Sequence, residues 1–89
     1  MRAVITVIGK DMVGILAKVA GVCADADANV IEVTQSVLQD MFAMIMLVDV
    51  SKLNVDFEGF SASVNQLGVD LGLSTHVMHE DLFNSMHRI

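Results

Sequence analysis

Apolar positions along this chain switch between two kinds of spacing, and the switches mark out its elements. Ala3-Val4-Ile5-Thr6-Val7-Ile8 is a short run rich in β-branched residues, ended by Gly9, and predicts a buried strand. Asp11 then stands where a helix cap belongs. Ile15, Val19, Val22 and Ala26 follow at steps of four, three and four, which puts them on one helical stripe. Gly21 falls inside this helix, where glycine costs roughly 1 kcal/mol relative to alanine. The expectation is that it lets the helix lie close to a sheet.

Asn29 to Gln39 and Phe42 to Ser51 are two further strand-like runs, separated by Asp40-Met41, and together they read as a hairpin. The second run, Phe-Ala-Met-Ile-Met-Leu-Val-Asp-Val, is apolar at nearly every position. A strand covered on one side alternates, so this one reads as central and needs cover on both faces. Met44 and Met46 share a face with Phe42 and Val48, and the expected use of that stripe is adaptable packing at a dimer or tail contact.

Helical spacing returns after Asp56, with Phe57, Phe60, Val64, Leu67 and Leu71 on one stripe and Gly72 suited to the stop. Leu73 to Glu80 predicts a fourth strand with Leu73, Thr75 and Val77 on one face. From Asp81 to Ile89, the residues Leu82, Phe83, Met86 and Ile89 would share one side of a short C-terminal helix. Strand, helix, strand, strand, helix, strand in this length specifies an α+β, ferredoxin-like βαββαβ sandwich. Two helices cover one face of a four-stranded antiparallel sheet. The chain reads as a single domain spanning 1–89.

Composition sharpens this picture. The chain is 54% hydrophobic with a mean hydropathy of +0.62, more than an interior of this size hides, so an apolar patch and a homodimer are expected. A net charge of −6 removes the cation cluster that nucleic acid or an anionic membrane would require. The lone Cys23 excludes an intrachain disulfide and fits a reducing compartment. The apolar start is too short for a signal peptide or a membrane span, so a cytoplasmic location is expected.

The first strand–helix turn, Gly9-Lys10-Asp11-Met12-Val13-Gly14, separates several functions that share this fold. It lacks the arginine of a phosphate-cradling acylphosphatase turn and the Cys-x-x-Cys of a copper carrier. The inner strands also lack the stacking aromatics and basic surface of an RNA-recognition domain. What remains is an acidic side chain, a glycine and the free N–H groups of a helix start. These suit the two ends of a small zwitterion: N–H groups and helix dipole for the carboxylate, and Asp11 or Asn29 for the ammonium.

Gly9 to Ala20, followed by Ala28-Asn29-Val30-Ile31, resembles the ACT domain family. Gln35-Ser36-Val37 leading into Phe42 to Asp49 is also similar. The closing Phe83 to Ile89 resembles the tail of the small stand-alone ACT proteins, relatives of the ACT modules of the glycine-cleavage repressor. The resemblance implies a dimeric regulatory domain that binds an amino acid and signals to a partner protein. Its ligand would lie between the first turn of one subunit and the second strand of another. Carried onto this chain, it nominates Asp11, Val13, Gly14 and Ile15, with Asn29 and Val30 opposite. Val13 stands where many ACT turns carry proline.

Nothing else in the sequence assembles a catalytic or metal constellation. His76 and His79 lie three apart on a strand and so point to opposite faces. Cys23 reads as a small buried hydrophobe, one residue off the helix stripe. The acidic residues are not paired for acid–base work. No enzyme activity, cofactor or metal is expected. The alternative to amino-acid binding is a ligand-free interaction or oligomerisation module.

Overall fold

A computed structural model describes residues 1–86. The elements are β1 (Arg2–Lys10), α1 (Ile15–Asp25), β2 (Asn29–Leu38), β3 (Met41–Asp49), α2 (Phe57–Leu71), β4 (Ser74–His79) and α3 (Glu80–Met86). The strands form one antiparallel sheet in the order β2-β3-β1-β4. This is the expected ferredoxin-like sandwich with a short C-terminal helix. Ile89, which completes the apolar side expected of that helix, and His87 lie outside the described residues.

Register decides which side chains meet the helices. Ile5 pairs with Met46 and Val77, and Val7 with Met44 and Thr75, so these residues share one face. That face carries the core: Ala3, Ile5, Val7, Phe42, Met44, Met46 and Val48 are buried beneath Ile15, Val19, Cys23, Phe60 and Val64. Met44 and Met46 therefore fill the interior rather than a dimer or tail contact. Their strand position, opposite residues that face the helices, put them there. Cys23 lies on the buried stripe of α1, whereas Val22 is only partly buried.

β3 is central, as its two-sided apolar pattern requires. Its other face, with Ala43, Ile45 and Leu47, belongs to the side of the sheet away from α1 and α2. The chain covers part of that side itself: α3 lies against β1 and β4, and Val4 there is buried. A bidentate Arg2–Glu80 ion pair (2.8 and 3.0 Å) fastens the start of α3 to β1.

Two glycines permit close approaches, Gly68 between α2 and β4 and Gly9 between β1 and the α2–β4 connection; neither is Gly21, which is exposed with open space where a Cβ would be. At Gly68 a Cβ would lie 2.7 Å from the Thr75 side chain, so α2 packs hard on β4 there. At Gly9 it would lie 2.5 Å from the Leu73 side chain. The helix ends are closed locally. Asp56 caps α2 by accepting the Gly59 N–H at 2.8 Å, and Gly72 ends it at φ 70°. Asn54 closes α1: its amide donates to the Asp25 carbonyl (2.7 Å) and the Asp27 carboxylate (3.1 Å). Its backbone N–H donates to the Ala26 carbonyl (3.0 Å).

Candidate functional site

The hairpin and the first turn are built together. The tight turn falls at Gln39-Asp40, one residue earlier than the sequence pattern suggests, because Leu38 pairs with Met41. Gln39 accommodates it at φ 59°. β1 runs on to Lys10, and the Asp11 N–H then donates to the Asp40 carbonyl at 2.7 Å. That bond commits the backbone of Asp11 to the hairpin.

Asp11 is consequently not the helix cap. The N-cap of α1 is Gly14, held at φ 86° in the left-handed region, and no side chain caps the helix. The first turn of α1 contains no acidic residue either. Its leading N–H groups thus keep the unmet donor capacity that every uncapped helix start carries. Lys18 makes the first intrahelical bond, to the Gly14 carbonyl at 3.0 Å.

A hollow of about 350 Å³ opens at this helix start. Asp11, Met12 and the stretch from Gly14 to Ala17 form one wall; Gln35, Ser36, Val37 and Phe42 form the other. Asp11 is exposed, and its carboxylate makes no hydrogen bond among the described residues. One end of the hollow therefore presents amide donors under a helix dipole, and its rim a free carboxylate. That pairing can hold opposite charges a few ångströms apart.

Of the residues nominated from sequence, Asp11, Gly14 and Ile15 come together here. Ile15 is buried in the core with only its edge on the hollow. Val13 is 97% exposed and projects outside it. Asn29 and Val30 lie at the opposite end of the sheet, where Asn29 pairs with Asp49 and Val30 with Val48. Some eight strand residues separate the two ends, about 26 Å at ~3.3 Å per residue. Asn29 shares a second hollow with Asp27 and Lys52. Val30 is partly buried against the core.

Gln35, Ser36 and Val37 also line the hollow, although the sequence pattern assigns them no part in the site. They reach it through the Asp11–Asp40 bond, a link between backbone groups that leaves no mark on side-chain pattern. The remaining chemistry is quiet. His76 faces away from the helices and His79 toward them, where its ring stacks on Phe57 with centroids 4.2 Å apart. Burial pushes the Cys23 thiol up to about 11, which keeps it protonated and unreactive near neutrality. Among the described residues no helix is long and apolar enough to cross a membrane.

Residues 2–78 match the ACT domain family. A UPF0237 protein of Methanococcus maripaludis is 44% identical over 99% of this chain and 98% of its own length. Among solved structures, an ACT domain protein from Streptococcus pneumoniae is 31% identical, with a TM-score of 0.80 over 93% of each chain. A structure assigned as a glycine cleavage system transcriptional repressor shares the fold at 24% identity and a TM-score of 0.75, over 85% of this chain and 43% of its own. Fold, first turn and full-length relatives agree: the chain belongs to the ACT domain family, whose members are commonly amino-acid-binding regulatory domains.

Proposed function

We propose that this chain is a regulatory domain that binds a small amino acid at a site completed by a second copy, and signals occupancy to a partner protein in the cytoplasm. The observation that carries the reading is the uncapped start of α1 at Gly14, opening on a hollow beside the free carboxylate of Asp11. A zwitterion complements the charge of both groups at once, which a lone anion does not.

The geometry of β2 suggests how Asn29 and Val30 take part. β2 is an edge strand of ten residues with no proline and one charge, Glu32, so its outer N–H and C=O groups lie open to pairing. Antiparallel pairing of two such edges about a twofold axis near Thr34 and Gln35 reverses the ends. Asn29 of one copy then comes level with the first turn of its partner. The gap of about 26 Å within one chain becomes adjacency between two. Edge-to-edge pairing does this; face-to-face pairing does not.

Thermal-shift or calorimetric screening against the common amino acids tests the reading. Ligand at about 100 times Kd should stabilise the fold by roughly 2.7 kcal/mol. Asp11→Ala should remove that response while leaving the unliganded melting temperature close to wild type, because the side chain makes no hydrogen bond among the described residues. No stabilisation by any amino acid at millimolar concentration sinks it.

A second reading has one observation in its favour. Val13 and Leu38 are 97% and 76% exposed at the same end of the molecule, an apolar tip suited to a protein contact. A ligand-free interaction module predicts dimers or partner complexes that no metabolite alters.

A further inference from the structure

A third hollow, distinct from those at Asp11 and Asn29, lies on the other side of the sheet, between α3 and the strands. Ile8, Ile45 and Met78 form its floor, Phe83 and Met86 its roof, and it encloses about 390 Å³. We propose that it is a binding site for a small uncharged aromatic molecule, separate from the first-turn site and independent of that reading.

Three observations point to this class of ligand. Among the described residues, no charged side chain lines the hollow. At the head of α3 the Arg2 and Glu80 charges are paired with each other at 2.8 Å, and the chain as a whole carries −6. Among the described residues a charged ligand finds no Asp, Glu, Lys or Arg in the lining to pair with, so the complementary occupant is neutral. The walls offer two thioethers and a phenyl ring, groups that favour contact with the edge and face of an aromatic ring. Thr6 and His76, paired across β1 and β4, supply a hydroxyl and an imidazole. Neither side chain has a hydrogen-bond partner among the described residues. An apolar hollow of this size with two convergent polar groups is the usual form of a small-molecule site. Meanwhile Ile8 and Ile45 remain 49% and 44% exposed, apolar surface that an occupant would remove from water.

Indole is the probe. The chain contains no tryptophan or tyrosine, so the fluorescence of added indole is read without background. Methyl-labelled methionine gives the location by NMR. Saturable binding is expected around 1 mM, with ring-current shifts at the Met78 and Met86 methyls and none at the core Met46. Indole-3-acetate and tryptamine should bind about tenfold more weakly than indole, because each brings an uncompensated charge. Ala43→Leu, which fills the floor, should abolish the shifts. Met86→Ala, at a residue 62% exposed and so safe for folding, should weaken them. Unmoved Met78 and Met86 methyls at saturating indole overturn the proposal, whatever oligomeric state light scattering reports. Shifts that survive both variants overturn it as well.

Discussion

Gly21 and Cys23 sit two residues apart on α1, and what each does depends on which way it faces. Gly21 faces open space, so its cost to the helix is not offset by a close approach to anything. Replacing it with alanine should raise stability by about 0.5–1 kcal/mol, read as a higher denaturant midpoint at unchanged slope. Cys23 faces the core, and its buried thiol is raised from 9.0 to about 11. The folded state therefore holds this proton more tightly than the unfolded chain does. Its contribution is intact below pH 9.0 and is lost as pH climbs through the interval to 11. Chemical denaturation of wild type and Cys23→Ala should show the wild type losing ground over that interval and the variant losing less. Both assignments needed the structure. Helical spacing fits Ile15-Val19-Val22, at steps of four and three, as well as Ile15-Val19-Cys23, at two steps of four, and a glycine in a helix does not announce which side it is on.

At the scale of elements, hydrophobic period located every strand and helix within a few residues, because each has one face that must leave water. Asp56 and Gly72 bracket α2 as their chemistry dictates. The pattern failed where backbone bonds rather than side chains decide. The hairpin turn moved to Gln39-Asp40, and α1 began at Gly14 because the Asp11 N–H was already held by the hairpin. Nor did any periodicity single out Gly68 or Asn54. A Cβ at Gly68 meets Thr75 and the Leu73 carbonyl, so Gly68→Ala should cost about 1–3 kcal/mol through overpacking between α2 and β4. Asn54→Ala removes two amide hydrogen bonds at the end of α1 and should cost about 1–2 kcal/mol. Hydrogen exchange should show the loss of protection confined to the last turn of α1. Urea melts of the two variants measure both costs directly.

At the scale of the molecule, the sandwich was legible because element order and length admit few alternatives. The candidate site was legible only by half. Asp11, Gly14 and Ile15 meet within one chain, but Asn29 and Val30 stand at the far end of the sheet. A sequence carries no record of how two copies align, so this half depends on the edge of β2. Light scattering should find a dimer at micromolar concentration. A proline at Gln35, mid-edge, should impair pairing along that strand. The central claim is that each binding site draws on two chains, and mixing two inactive variants tests it most directly. Using an amino acid that stabilises the wild type, calorimetry should find no binding by Asp11→Ala alone or by Asn29→Ala alone. After the two are unfolded together and refolded, half the dimers are mixed and each mixed dimer regains one intact site. The account predicts recovery of about one quarter of the wild-type binding capacity. Refolded mixtures that remain as inert as either parent, with dimers intact, would contradict it.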